Sequence, residues 1–315
     1  MTSYIDRSTL NLLRFPLVVL IEIFKNMDFR EKFLISLLSK RARNTLKLTC
    51  LIPHLSFRFE DSVQICLVPP LLEGEPMDHI IKGEEMRLSV YSNGVVLQDK
   101  SLQDQLLLTN RVLNSFRTTS ISLEFHKPTL PALVLEFMRK INQRKLCVQS
   151  FSYNARLESS EIISSILDEC TEVTGLIWML VGLPYNYAYK FSSPFKAKGI
   201  YVGTGCFWFN TERQRCSHLI INLCSRTAIC YNSFFTNWIG SDTRLEHVSL
   251  IASKESENKF IMDALNNQGT LLPIADKWIE MKRIDGSEFF IHTIFDYIQI
   301  YTKQAYLEKV RKNEG

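Results

Sequence analysis

Between residues 12 and 48 the apolar positions recur at helical spacing. Leu20, Ile23, Phe24 and Met27 fall at i, i+3, i+4 and i+7, which is one face of a helix. Pro16 suits the first turn of that helix, where its missing N–H is not needed. Asp28 followed three residues later by Glu31 has the form of a capping box, so a second helix is expected there. It presents Phe33, Leu34, Leu37 and Leu38. Lys40, Arg41 and Arg43 are expected to close it, where cations meet the negative end of the helix dipole. A third, short helix carries Leu46.

From about residue 51 to 115 the period changes from helical to two. Leu55, Phe57 and Phe59 alternate with polar residues, as do Val63, Ile65 and Leu67, and again Met86, Leu88 and Val90. Asn93-Gly94 follows, a strong two-residue hairpin signal, and the strand pattern returns over 95–97. A small antiparallel sheet is expected.

The stretch from about 116 to 303 alternates strand and helix patterns. A loose strand motif of three apolar positions recurs at Val148/Phe151/Tyr153, Val173/Leu176/Trp178, Cys216/Leu219/Ile221 and Leu245/Val248/Leu250. Weaker copies stand at Thr118/Ile121/Leu123 and Ala197/Ile200/Val202, so successive copies start 19 to 30 residues apart. Amphipathic helices lie between some of them, carrying Leu133, Phe137 and Ile141, then Ile162, Ile163, Ile166 and Leu167, then Phe234, Phe235, Trp238 and Ile239, then Phe260, Ile261, Ala264 and Leu265. A strand–helix unit of this length is the period of leucine-rich repeats, whose units bury their faces against neighbours. The pattern closes with apolar runs at 278–284 and 290–300 around Asp285-Gly286, read as a terminal hairpin. The expected fold class is α/β, or α+β overall. It divides into a three-helix segment (10–50), a β-rich connector (51–115), a leucine-rich-repeat-like domain (116–303) and a C-terminal tail (304–315).

Composition narrows the class. The chain has 315 residues, 46% hydrophobic and 22% charged, with only 12 Gly and 10 Pro, which are globular proportions and not those of a disordered or collagen-like chain. The net charge is +4, and it is concentrated early: residues 1–50 hold nine Lys/Arg against four Asp/Glu, and the remainder holds 28 against 29. No broad basic face is left for a nucleic acid. The apolar run at 17–21 is interrupted by Glu22 and is far short of the roughly 20 residues that a bilayer requires. The eight Cys (50, 66, 147, 170, 206, 216, 224 and 230) are scattered and no secretion signal is read, so reduced thiols and an intracellular location, cytoplasmic or nuclear, are expected.

Catalytic signatures are not found. Gly203-x-Gly205 lacks the third glycine and helix of a dinucleotide loop, and neither a phosphate loop nor a Gly-x-Ser-x-Gly elbow occurs. The densest Cys/His region, Cys206, Cys216, His218, Cys224 and Cys230, does not have paired zinc spacing and reads as core thiols. His126, His247 and His292 sit in or at the ends of strands without a readable nucleophile partner. No catalytic residue, cofactor or metal is expected. The aromatic runs 185–189 and 206–209 suit either a recognition surface or core packing.

The segment from Leu13 to Phe24 resembles the opening of an F-box. Phe15-Pro16, Val19-Leu20 and Ile23-Phe24 stand in that family's places, Met27 takes the next leucine position, and Ser36-Leu37-Leu38-Ser39-Lys40-Arg41 is similar to its closing stretch. Leu38 stands where the family has Cys, and the usual later Trp or Phe is missing. Farther on, Ser233-Phe234-Phe235-Thr236-Asn237-Trp238-Ile239, Arg244-Leu245-Glu246-His247-Val248-Ser249-Leu250 and Lys282-Arg283-Ile284-Asp285-Gly286 resemble the type-2 F-box-associated domain of nematode-expanded F-box proteins. The resemblance implies a non-catalytic adaptor. Its F-box docks on a Skp-type adaptor of a cullin-RING ubiquitin ligase, and its C-terminal domain holds a protein substrate near the charged conjugating enzyme.

Physical chemistry points the same way. Three short helices cannot turn all these apolar side chains inward on so small a core, so some are expected to meet a partner. The expected adaptor-binding surface is Phe15, Pro16, Val19, Leu20, Ile23, Phe24 and Met27, with Leu34, Leu37 and Leu38 behind or beside it. The alternatives are that this face packs on the protein's own β-rich segment, that the chain is an interaction scaffold outside any ligase, or that the Cys-rich region builds a thiol or metal enzyme.

Overall fold

The structure is a computed structural model. It describes residues 14–67, 72–81, 86–98, 101–126, 129–157, 160–182, 195–203, 217–222, 228–240, 245–251, 255–275, 277–283, 285–294 and 297–313. The chain divides into two compact units, residues 1–122 and 123–315.

The first unit opens with three ten-residue helices, α1 (Leu17–Asn26), α2 (Phe29–Leu38) and α3 (Lys40–Thr49). The capping box forms as expected: the Glu31 N–H donates to Asp28 Oδ1 at 2.8 Å, and the Asp28 N–H donates to Glu31 Oε2 at 2.9 Å. The basic run does not close α2. Ser39 ends that helix and caps the next, accepting from the Ala42 N–H at 3.1 Å, so Lys40, Arg41 and Arg43 begin α3. The hydroxyl cap outweighs the dipole preference, and Arg43 reaches back to donate to the Ser36 carbonyl at 3.4 Å.

Strands β1 (Leu51–Phe59), β2 (Val63–Cys66), β3 (Met77–Ile81), β4 (Met86–Tyr91) and β5 (Gly94–Leu97) follow. The helix α4 (Leu102–Ser115) then leads to β6 (Arg117–Phe125), in which the boundary between the units falls. The strand order in this unit is β6-β1-β2-β5-β4-β3. β2 pairs antiparallel with β1 and β5, and β4 with β5 and β3. The alternating positions Leu55, Phe57, Phe59, Val63, Ile65, Leu88 and Val90 are all buried, as their period demands. Gly94 follows the tight turn where a Cβ would meet the Ile65 carbonyl oxygen at 2.6 Å, so only glycine fits. β3 and α4 are additions to the expected picture.

The second unit contains α5 (Pro131–Gln143), β7 (Val148–Leu157), α6 (Ser160–Glu169), β8 (Leu176–Gly182), β9 (Gly199–Gly203), β10 (His218–Asn222), α7 (Ala228–Gly240), β11 (His247–Ile251) and α8 (Glu255–Asn266). It ends with β12 (Thr270–Ala275), β13 (Trp278–Lys282), β14 (Glu288–Ile294), β15 (Tyr297–Thr302) and α9 (Lys303–Asn313). Strands β7 to β11 lie side by side in chain order, each pair parallel. β15 then adds antiparallel to β11, followed by β14, β13 and β12.

Register places Phe151, Ile177, Ile200, Leu219 and Val248 across one row, all buried. Phe125 packs against both Phe137 of α5 and Phe151, with ring centroids 6.2 and 5.8 Å away. One expected motif is out of phase. In β8 the buried positions are Ile177, Met179 and Val181, while Leu176 and Trp178 point the other way. The strand is apolar at nearly every position, so its pattern cannot set its phase, and only pairing with β7 does. The expected terminal hairpin is part of the four-stranded antiparallel run β12–β15, and the segment read as a tail is the helix α9.

Candidate adaptor-docking site

Helix α1 is anchored from one side. Pro16 supplies its N-cap backbone, the Leu20 N–H donating to the Pro16 carbonyl at 3.1 Å. Leu20 is 4% exposed and Phe24 is fully buried, so both face inward in the chain. The expectation put both on the docking surface; in this chain they are buried and hold the helix in place. The reason is the spacing itself: positions four apart stack on one stripe, and a helix attached to a domain turns its most apolar stripe inward.

The exposed first turn of the same helix is apolar too, while Glu22, Lys25 and Asn26 make its exposed side polar farther along. Phe15, Leu17, Val18 and Val19 are 37, 51, 72 and 40% exposed, a run of large hydrophobic side chains at the helix start with Pro16 also exposed. Ile23 and Met27 are half-buried at its edge. On α2, Phe29 and Phe33 go into the core, Leu34 and Leu37 are half-buried, and Leu38 is 75% exposed. Leu48 at the end of α3 and Leu51 at the start of β1 are exposed at 70 and 58%. Leu17, Val18, Leu48 and Leu51 were missed by the sequence reading. The uninterrupted apolar run at 17–21 was the signal available for the first two, since no one-sided helix needs five apolar residues in succession.

The alternative in which the helices pack on the β-rich segment holds in part. Phe29 stacks with Phe33 (centroids 5.9 Å, 11°), its ring meets that of Phe116 beyond α4, and its N–H donates to the Ser92 carbonyl at 2.8 Å. Thus α2 seats the three helices on their own sheet, and the outer side of α1 is left exposed. Single exposed hydrophobic residues are ordinary, but several adjoining ones mark an interaction surface.

Chemistry is sparse elsewhere. Cys50, Cys66 and Cys170 are buried, and burial pushes the Cys50 and Cys170 thiols up, away from the reactive thiolate. Cys147 is an exposed free thiol. Cys206, Cys216 and Cys224, the side chain of Cys230, Gly205, Arg244, Ile284 and the aromatic runs 185–189 and 206–209 lie outside the described residues. His126 lies 3.5 Å from Glu124, and His292 stacks on Trp278. Among the described residues no group of three or more His, Cys, Asp or Glu side chains is arranged for a metal ion, and no helix is long and apolar enough to cross a membrane.

Comparison with known proteins agrees with the N-terminal geometry. The F-box domain family matches residues 12–53, the span of α1 to α3. The chain therefore carries a three-helix F-box followed by a mixed, sheet-rich α/β region with further helices. At the family level an F-box supports a substrate-adaptor role in SCF-type ubiquitin ligases. No curated protein and no solved structure matches the chain.

Proposed function

We propose that the protein is a substrate-receptor subunit of an SCF-type cullin-RING ubiquitin ligase. It docks on the Skp-type adaptor through its F-box and recruits a protein substrate through residues 116–303. It performs no chemistry itself and acts inside the cell. The observation that carries the reading is the exposed apolar first turn of α1 within a segment matched as an F-box. The docking surface is Phe15, Pro16 and Val19 with Leu17 and Val18, flanked by Ile23, Met27, Leu34, Leu37 and Leu38. Leu20 and Phe24 support it from within.

The substrate-holding role rests on the resemblance of 233–250 and 282–286 to the type-2 F-box-associated domain. The leucine-rich-repeat-like reading of that region is supported by parallel strands that follow one another in chain order, with α6 between β7 and β8 and α7 between β10 and β11. Stacked units of this kind offer a continuous strand face to a partner.

The test is co-expression with a Skp-type adaptor and the adaptor-binding part of a cullin. A ligase receptor co-elutes with both. Elution with the adaptor but without the cullin favours the scaffold alternative, and a folded chain that elutes alone removes the proposal.

A further inference from the structure

The parallel strands of the second unit have two unlike faces. On one, the row through Phe151 is buried throughout, and so are Tyr153, Met179 and Leu250. The other presents Ser152 and Trp178, and beyond them Tyr201, which stacks on Trp178 at 4.1 Å. Farther along this second face His218 is exposed, and His247 stacks on Tyr301 at 4.2 Å with the planes 8° apart. Rings stacked on neighbouring strands hold each other rigid and direct their edges, where the N–H and O–H donors sit, away from the sheet.

At one end of this face α9 lies against β14 and β15. Tyr306 stacks on Phe290 at 4.1 Å and fixes the helix. That puts Lys309 Nζ over the Tyr301 ring, 4.5 Å from its centroid, where it donates to Gln299 Oε1 at 3.1 Å and to the Tyr301 hydroxyl at 2.5 Å. Both acceptors are neutral, and an ammonium has three N–H donors. Among the described residues no carboxylate lies within ion-pair distance of Lys309. Beside it opens a cleft of about 390 Å³ lined by His218, His247, Tyr301, Lys309 and Lys312, with Glu246 and Glu308 also in its wall.

A part-buried cation fixed by neutral groups, with one donor that meets no acceptor among the described residues at the wall of a cleft, is an arrangement completed by an anion. We infer that this cleft binds an anionic side chain of the recruited protein, whose carboxylate or phosphate oxygen accepts from Lys309. The inference rests on the substrate-receptor reading above. Glu246 and Glu308 select against a second acid beside the first, so the flanking residue of the bound segment is basic or neutral.

The probe is a phage-displayed library of short random peptides, selected on the full chain in complex with a Skp-type adaptor. The expected result is enrichment of peptides that share one acidic residue. A synthetic copy of an enriched peptide should lose about tenfold in affinity when that acid is replaced by its amide. Lys309→Met keeps the stem over the Tyr301 ring and removes only the charge. It should weaken the acidic peptide as much and abolish the difference between acid and amide, while Lys309→Arg retains binding. A phosphoserine version that binds more tightly than the carboxylate identifies phosphate as the source of the anion. The inference is overturned if no peptide is enriched, if the enriched peptides lack an acid, or if they bind Lys309→Met as well as they bind the original protein. Adaptor binding is scored on the same samples, so failure of the F-box reading is seen separately.

Discussion

The rings of Phe29 and Phe116 meet with centroids 5.6 Å apart and planes at 39°, joining the start of α2 to the residue that ends α4. Both are buried, at 2% exposure each. The F-box helices are therefore not a free module on a tether but part of the hydrophobic core of the first unit. Phe29→Ala is expected to cost about 3–5 kcal/mol, since a large aromatic is removed from a packed site. Val18→Asp, on the exposed side of α1, is expected to stay within about 0.5 kcal/mol. Denaturant unfolding of the full chain measures both, and equal midpoints for the two variants would contradict this packing.

The capping box of α2 gives a smaller, local prediction. Asp28→Ala removes the acceptor for the Glu31 N–H and is expected to cost about 1 kcal/mol. Asp28→Asn keeps a cap and should cost only a few tenths of that. Thermal melting of the two variants side by side is the check, with the alanine variant melting lower.

Two backbone positions predict opposite outcomes. Lys145 has φ 54° in the turn that ends α5, its N–H donating to the Asn142 carbonyl at 3.0 Å. That is the left-handed position normally given to glycine, so Lys145→Gly is expected to stabilise by about 0.5–1 kcal/mol. Gly175 is the reverse case. A Cβ there would stand 2.0 Å from the Gln149 carbonyl oxygen, so Gly175→Ala must displace backbone and should lower the melting temperature clearly.

His247 carries a pH dependence. Burial first, then His218 and Lys309 nearby, push its pKa down from the ordinary 6.5 to about 3. The folded protein holds it neutral, while the unfolded chain protonates it near 6.5, so the unfolded state binds more protons at mildly acid pH. Its contribution is unaffected above about pH 6.5 and is lost progressively as pH falls toward 3, with a slope of at most about 1.4 kcal/mol per pH unit. His247→Gln should flatten the loss of stability between these limits, as read from unfolding midpoints at stepped pH. A variant with the original slope would show that other groups account for it.

Where one period dominated, the fold was legible in the residues. The capping box and the alternating strands of the first unit stand where local chemistry put them. A hairpin forms where Asn93-Gly94 signals one, shifted by a residue so that Ser92 and Asn93 make the turn and Gly94 opens β5. Phase was lost in β8, because a run of Leu, Ile, Trp, Met, Leu and Val carries no alternation to read. α9 was hidden by its charged composition, since its place is set by Tyr306 on Phe290 and not by an apolar stripe. The docking surface was legible as a segment but not as a side. The heptad-like stripe through Leu20 and Phe24 was read as outward, and tertiary packing turned it inward. The cleft beside Lys309 could not be read at all, because His218, His247 and Tyr301 are separated in sequence and meet only through strand register.

The most direct test of the central claim is co-purification of the chain with a Skp-type adaptor, beside a Val18→Asp/Leu38→Asp double variant. These positions are 72 and 75% exposed, so the variant should fold and melt as the original does. A carboxylate forced into an apolar groove costs several kcal/mol, enough to abolish the complex. The account predicts that the original chain retains the adaptor and the folded variant does not. A folded variant that still retains the adaptor, or an original chain that never does, would contradict it.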